Sequence, residues 1–232
     1  MAPGRNVQDA RGQASHTLRQ PERLQMHAQP LFAETNVDAL HRLMHAYPLA
    51  TLATMTSHGF EANLLPLELV VAGDFGLLRG HVARRHPLCA DAVGGVDAIA
   101  VFQGPNAYVS PRWYVNGQRS GRLAPSWNYV AVQARGRLRL IDDKAWLLSH
   151  LAALTTRQEA HREQPWSLND CAKEFVTDTA QALIGFELEI STLSGKRFLS
   201  QQRTEADRRS VVHHLEREAS GTARDVAKLI VP

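Results

Sequence analysis

The stretch "WNYVAVQARGRLRLI", residues 127–141, carries the clearest secondary-structure signal in the sequence. In its second half, Arg135, Arg137 and Arg139 alternate with small or apolar residues. A period of two is typical of a β-strand, because successive side chains of a strand point to opposite faces. The stretch therefore predicts a strand with one face in water and the other in a core.

The runs on both sides of this strand extend the β pattern. Upstream, "LATLATMT" and "FEANLLPLELVVAG" are joined by "SHG", where Gly59 in a short polar turn predicts a hairpin. "LLRGH", "DAIAVFQG" and "AYVSP" predict further strands, and "IGFELEIS" with "KRFLS" predicts a second hairpin that turns at residues 193–195. The strands lack the regular strand–helix alternation of a doubly wound fold. The sequence thus predicts a mainly β (α+β) fold, an antiparallel sheet closed or nearly closed into a small barrel.

Helices are predicted at the ends of this β region and in one insertion. Asn36 is a suitable N-cap for "VDALHRLMHAY", and Asp142 or Asp143 for "KAWLLSHLAALT". Another helix is predicted over "NDCAKEFVTDTAQAL", and a helix-rich tail from Thr204 onward. Residues 111–126 are rich in Gly, Ser and Arg without periodicity, which predicts a long mobile loop.

Composition bounds the class of protein. The 232 residues are 44% hydrophobic and 21% charged, which is typical of a globular domain. A formal charge of +3 is too small to indicate nucleic-acid binding by itself. The two cysteines have no metal or disulfide spacing, which favours a reducing compartment, the cytoplasm. No stretch is apolar enough for a membrane span, and we expect residues 1–25 to be a disordered extension before a single domain over 26–232.

Few motifs in the chain indicate chemistry. His41 and His45 share a helical face but lack a third ligand, so no metal site is predicted. The nucleophile motif "GxSxG" and the phosphate-binding motifs "GxxxxGK" and "GxGxxG" are absent from the sequence. What remains is "LLRGHVARRHPL", residues 77–88, which concentrates positive charge. It is either a solvated basic turn or a phosphate seat, with a short helix beginning at Val82.

Seven segments, in order, resemble the PaiB family of FMN-binding split-barrel proteins. They are "YPLATLAT", "EANLLPLEL", "LRGHVARRHPL", "VFQGPNAYVSPRWY", "PSWNYVAVQARGRLR", "LTTRQEAH…PW" and "LSQQRTEADRRSVV". The resemblance implies a six-stranded antiparallel split β-barrel with flanking helices. It further implies a homodimer that binds FMN at its interface.

The resemblance also implies which residues hold the cofactor. The basic segment would bind the phosphate, and the strand "ANLLPL" would line the isoalloxazine ring, largely through its backbone. Residues 127–128 and 200–203 would complete the pocket from the partner subunit. The phosphate would be bound by Arg84 first, with Arg85 and the N–H groups of Val82 and Ala83 beside it, and His81 is a further cofactor-binding residue of the same segment. The ring residues are Asn63, Leu65 and Pro66, and the residues that complete the pocket are Trp127, Asn128, Ser200, Gln201, Gln202 and Arg203.

Two functions are compatible with such a site. The family label implies a negative transcriptional regulator or a redox-linked regulatory protein. Direct DNA binding has little support in the sequence, because no helix-turn-helix or strong basic stripe is visible. The alternative is a flavin-dependent oxidoreductase of the NAD(P)H:FMN or pyridoxamine-phosphate-oxidase-like type, for which the sequence indicates no catalytic acid or base.

Overall fold

The computed structural model describes residues 26–121, 123–219 and 221–231, and the predicted N-terminal extension lies outside these ranges. The described strands are β1 (Ala33–Glu34), β2 (Leu49–Thr56), β3 (Gly59–Pro66), β4 (Glu68–Val70), β5 (Leu77–Ala83), β6 (Val96–Val109), β7 (Ser126–Ile141) and β8 (Leu183–Phe198). The described α-helices are α1 (Val37–Ala46), α2 (Leu88–Asp91), α3 (Val115–Ser120), α4 (Lys144–Glu159), α5 (Lys173–Gln181), α6 (Glu205–Leu215) and α7 (Gly221–Leu229).

The strands form one antiparallel sheet that curls into a barrel. Its order is β3-β2-β6-β7-β8-β5-β4, with the two-residue β1 paired to β8. The edge strands β3 and β4 follow each other in the chain and are separated by Leu67 alone. Because one residue connects the two edges, the sheet must bring those edges together. Six strands have seven or more residues, as the predicted barrel requires, and β1 and β4 are short additions.

Strand β7 has the alternation that its sequence predicts. Val130, Val132, Ala134 and Leu138 are buried, whereas Arg137 and Arg139 are exposed. The alternation continues in phase although the pairing register with β8 slips between Arg135 and Gly136, which marks a β-bulge. A Cβ on Gly136 would lie 1.8 Å from the main-chain oxygen of Glu189, so the bulge needs glycine there.

The second predicted hairpin is wrong. Residues 183–198 form a single strand of 16 residues, which pairs with β7 across the proposed turn. Gly195 pairs with Val132 and does not reverse the chain. A Cβ on Gly195 would lie 2.2 Å from Cδ2 of Leu40, so this glycine makes room for α1.

Two hydrophobic clusters support the fold. The larger fills the barrel and includes Phe102, Leu138 and Phe186, with α1 packed against it through Leu40 and Met44. The second includes Tyr114, Val211 and Val226, and it lies where α6 and α7 cover the end of β6 and the beginning of β7. Leu43 contacts both clusters. The C-terminal helices therefore bury apolar surface against the strands.

Local capping fixes the starts of the principal helices. The Asn36 side chain accepts a hydrogen bond from the Ala39 N–H at 2.9 Å, and Asp143 accepts one from the Trp146 N–H at 2.9 Å. Thr204 caps α6 in the same way. These three caps confirm the predicted helix starts. No described helix is both long and apolar enough to span a membrane.

The predicted long loop at residues 111–126 is largely wrong. Pro111–Trp113 form a 3₁₀ turn, and α3 follows directly. Gly121 ends α3 in the left-handed region, with φ 66°, which is typical of a glycine helix terminus. Gly117 allows Leu123 to pack closely, since a Cβ there would lie 2.5 Å from Cδ2 of Leu123.

Candidate cofactor site

The basic segment forms a turn that follows β5, and we call residues 84–87 the arginine turn. The strand ends at Ala83, and the next helix begins at Leu88, so the helix predicted to begin at Val82 is wrong. The Arg84 N–H donates to the Ala182 carbonyl at 2.9 Å. In an antiparallel pair, the N–H groups of every second residue point to the neighbouring strand. The Val82 N–H therefore also points to β8, whereas the Ala83 N–H points away from it. Ala83 is therefore the better placed of the two predicted amides.

Arg84 already has an anionic partner within the chain. Its Nη1 and Nη2 donate to the two carboxylate oxygens of Asp142 at 2.9 and 2.5 Å, and its Nε donates to the Gln181 carbonyl at 2.8 Å. The guanidinium of Arg84 lowers the pKa of the Asp142 carboxyl by hydrogen bonding to it. Arg85 is exposed and makes no hydrogen bond or ion pair with any residue of the described ranges.

Strand β3 presents an open edge beside the predicted ring-binding residues. The Leu67 N–H donates to the Pro48 carbonyl at 2.9 Å, so alternation directs the main-chain groups of Leu65 and Asn63 to β2. The main-chain groups of Ala62 and Leu64 face the open edge instead. Asn63 and Leu65 are half-buried on the inner face, and Pro66 is exposed. Main-chain contacts with a flavin ring at this edge would thus come from Ala62 and Leu64, and not from the predicted ring residues.

The remaining predicted residues gather at the far ends of β7 and β8. The Asn128 amide donates to the Ser200 hydroxyl at 3.0 Å, and both residues are buried. Ser200 has φ 64°, a left-handed conformation that turns the chain towards α6. Gln201 braces this turn by hydrogen bonds to Leu199 and Arg197, and Gln202 is exposed.

Arg203 stacks on a buried aromatic ring near this turn. Its guanidinium carbon lies 4.1 Å from the ring centroid of Tyr114. The Nε of Arg203 and the hydroxyl of Tyr114 are both buried without a hydrogen-bond partner in the described ranges. Two unsatisfied polar atoms on a pair of stacked side chains indicate that a further polar group would be stabilised beside them.

Trp127 lines an aromatic cleft of about 500 Å³ with Tyr108 and Trp113. The Trp127 indole donates to the Asn106 side chain at 3.0 Å, and its ring meets that of Tyr108 edge-on at 6.0 Å. About half of Trp127 is exposed, at 52%. The cleft has the size and aromatic walls of a site for a flat ring.

The structure does not bring all predicted residues together in one chain. The arginine turn lies at the Ile141 end of β7, because Arg84 bonds Asp142, whereas Trp127 and Asn128 lie at the other end. The 13 residue steps from Asn128 to Ile141 span about 40 Å along the strand. Asn63 lies level with the middle of β7. Across the sheet, it pairs with Leu52, Leu52 pairs with Ala100, and Ala100 pairs with Ala134 of β7. One protomer therefore holds the two ends of the predicted pocket far apart.

Two residues beside the arginine turn did not emerge from the sequence. Glu68 and His150 are buried and hydrogen-bonded to each other at 3.0 Å, and His150 in turn contacts His81 at 3.2 Å. The only sequence signal was an acid inside the apolar run "LELVV". Asp142 likewise carries no sequence signal beyond that of a helix cap.

Comparison with known proteins identifies the family. Residues 26–192, more than half of the chain, match the family described as "Putative FMN-binding domain". The chain belongs to this family. A relative in Bacillus subtilis, the "Protease synthase and sporulation protein PAI 2", is 26% identical over 205 residues, covering 88% of this chain and 96% of the relative. The predicted PaiB resemblance and the FMN cofactor are thereby confirmed at the level of this FMN-binding family.

Solved structures confirm the fold of this family member. A Mycobacterium smegmatis protein described as FAD- and heme-binding aligns with a TM-score of 0.53 at 19% identity, over 72% of this chain and 73% of that one. The flavocytochrome Anf3 from Azotobacter vinelandii aligns with a TM-score of 0.54 at 16% identity, over 74% and 72% of the two chains. The mainly β barrel with flanking helices is the fold shared with these proteins.

The residues of the chain fit the chemistry of the family cofactor. A phosphate accepts strong hydrogen bonds from guanidinium groups, and Arg84 and Arg85 place two exposed guanidinium groups at one turn. A flavin ring needs flat apolar neighbours, which the cleft around Trp127 offers. Asp142 occupies the parallel N–H pair of Arg84, so a phosphate that takes this pair must displace Asp142.

Proposed function

We propose that the protein is a homodimeric FMN-binding regulatory protein whose two cofactor sites each draw on both chains. One observation carries the proposal. The arginine turn and the aromatic cleft lie about 40 Å apart along β7 of a single chain. A second copy placed antiparallel to the first would bring the turn of one chain to the cleft of the other.

The phosphate seat of this site is the arginine turn. Asp142 holds the Arg84 fork in the orientation that a phosphate would use, since both anions accept two parallel hydrogen bonds. The pair is solvent-exposed, which makes exchange for a doubly charged ligand inexpensive. Arg85 and the Ala83 N–H complete the seat. When bound, FMN supplies redox chemistry, and the protein supplies its position and charge environment.

The dimer surface is the outer face of the β2–β3 hairpin, which we call the hairpin face. Its most exposed apolar side chains are Leu49, Met55, Phe60 and Leu64. Strand pairing makes them contiguous, because Met55 lies opposite Phe60 and Leu49 opposite Pro66. An apolar patch beside an open strand edge favours association with a second copy, by packing and by main-chain pairing.

A regulatory role is supported by the relative in Bacillus subtilis, whose name refers to protease synthase and sporulation. We place the protein in the cytoplasm, where Cys89 and Cys171, both free thiols, remain reduced. DNA binding, if direct, would be a property of the FMN-loaded dimer. Gel shifts with promoter and random duplexes over a range of salt concentrations, with and without FMN, test this. Equal affinity for both duplexes at every salt concentration would exclude direct repression.

Complementation between inactive variants tests the shared site. Arg84→Ala removes the phosphate contact of one chain, and Trp127→Ala removes the aromatic contact of the other. Each homodimer should bind FMN weakly, whereas a mixture of the two variants should regain one strong site per mixed dimer in a fluorescence titration.

The matched control mixes Arg84→Ala with Arg85→Ala. Both variants damage the same half of the site, so every site of the mixed dimer carries a defect. We expect no recovery there. Normal binding by each variant alone would show that FMN binds elsewhere. Weak binding by each variant without recovery in the first mixture would show that the two chains do not share the site.

A further inference from the structure

A buried chain of hydrogen bonds ends at the strand that leads into the arginine turn. The Glu68 carboxylate on β4 bonds Nδ1 of His150 on α4 at 3.0 Å. Nε2 of His150 bonds Nδ1 of His81 on β5 at 3.2 Å. Glu68 and His150 are buried, with exposed fractions of 7% and 1%, and His81 is half-buried. The three side chains form a carboxylate–imidazole–imidazole series.

Packing fixes the ring in the middle of this series. The Trp146 ring stacks on His150 at 5.3 Å between centroids, with an interplanar angle of 24°. The His81 ring meets His150 edge-on, with 64° between the planes. A ring held by stacking and by bonds at both nitrogens has no freedom to flip.

The arginines around this series are paired with groups other than His81 and His150. Arg79 on β5 donates to Glu187 on β8 at 3.0 Å, and the Trp146 indole donates to the same carboxylate at 3.0 Å. His45 on α1 faces Glu68 from another side and is engaged by Arg157. Among the residues that the structure describes, Glu68 is therefore the one carboxylate that hydrogen-bonds His150.

These contacts fix where the protons are. A carboxylate accepts hydrogen bonds, so the proton of His150 lies on Nδ1. Burial lowers the pKa of both histidines, which keeps them neutral near neutral pH. A neutral His150 then offers a lone pair at Nε2, and His81 must donate its Nδ1–H to it. The second nitrogen of His81 is left with a lone pair.

We propose that His81 binds the ligand as a hydrogen-bond acceptor through Nε2, and that Glu68 and His150 are positioning residues that hold it in this tautomer. Nε2 of His81 makes no hydrogen bond with any residue the structure describes. His81 lies three residues before Arg84. The group it would accept from is a neutral donor, such as a ribityl hydroxyl or the ring N–H of FMN. Only the identity of this ligand rests on the proposed function.

Nitrogen NMR of ¹⁵N-histidine-labelled protein, recorded near neutral pH without ligand, tests the proton positions. Long-range correlations distinguish protonated from unprotonated ring nitrogens. We expect Nδ1 of His81 to be protonated and Nε2 to be unprotonated. In Glu68→Gln, an amide that can donate or accept replaces the carboxylate, so both His81 nitrogens should move towards averaged shifts.

Glu187→Gln is the matched control, because it makes the same chemical change at the same helix–sheet interface without touching either imidazole. It should leave the His81 nitrogens unchanged. A protonated Nε2 in the wild-type protein, or a Glu68→Gln spectrum identical to that of the wild type at His81, would overturn the relay.

Adding FMN separates this inference from the proposed function. If FMN binds and the Nε2 resonance of His81 moves towards that of a hydrogen-bonded acceptor, the ligand contact is supported. If FMN binds without moving that resonance, His81 does not contact the ligand and the inference is wrong. If FMN does not bind, the proposed function fails, and the ligand-free spectra still decide the relay.

Discussion

Replacing Phe60 on the hairpin face should separate the proposed dimer. Phe60 is 84% exposed, and a buried aromatic side chain removes about 150–250 Å² from water, so roughly 170 Å² per copy is available for burial. At about 25 cal/mol per Å² this amounts to about 4 kcal/mol per copy, counted twice in a symmetric interface. If half of that area is buried in the dimer, Phe60→Asp weakens dimerisation by about 4 kcal/mol, or roughly 1,000-fold in Kd.

Sedimentation equilibrium measures this change directly. The wild type should sediment at twice the 25.7 kDa chain mass, and Phe60→Asp at the chain mass over the same concentration range. Phe175 on α5 provides the matched control, since it is 63% exposed but lies outside the hairpin face. Phe175→Asp should sediment like the wild type. A wild-type monomer, or an unchanged dimer in Phe60→Asp, would refute the assignment of this face.

Three further predictions concern stability and affinity. Gly136→Ala places a Cβ 1.8 Å from a main-chain oxygen of β8 and should destabilise the fold by about 3 kcal/mol in urea unfolding, whereas Gly221→Ala, with open space around it, should change stability little. Asp142→Asn should strengthen FMN binding several-fold, because the guanidinium of Arg84 loses its competing anion; weaker binding in a fluorescence titration would contradict this exchange. Burial lowers the pKa of His150 below 6.5, so below pH 6.5 this histidine is protonated in the unfolded chain before it is protonated in the folded chain. As the pH is lowered below 6.5, this group should reduce the free energy of unfolding by up to about 1.4 kcal/mol per pH unit. In His150→Asn, the free energy of unfolding should depend less on pH over the same range.

Local signals in the sequence were reliable where the physics is local. The β7 stretch alternates between polar and apolar residues, and the strand has that alternation because each side chain takes its face from its position alone. The N-caps at Asn36 and Asp143 form within one helical turn, so their prediction needs no knowledge of the fold. The family resemblance added the split-barrel type and the cofactor, which no single element indicates.

Two of the wrong predictions concern a glycine and a segment whose roles depend on distant residues. Gly195 resembles a turn residue, but it lies within a strand to admit Leu40 from α1. The segment at 111–126 has no periodicity, yet it is structured because Tyr114 is buried against the C-terminal helices. Neither partner is near in sequence, so a local reading cannot find them.

The sequence by itself determined that the chain forms an antiparallel barrel and that its positive charge gathers at residues 84 and 85, because alternation, capping and charge content are properties of short segments. Only the tertiary structure decided how that charge is used. The carboxylate that occupies Arg84 is 58 residues away, and the carboxylate that orients the histidines is 82 residues from His150. Such pairs arise from the closure of the sheet and the placement of α4 against it, and a hydrogen bond between distant residues leaves no mark in the spacing of either one.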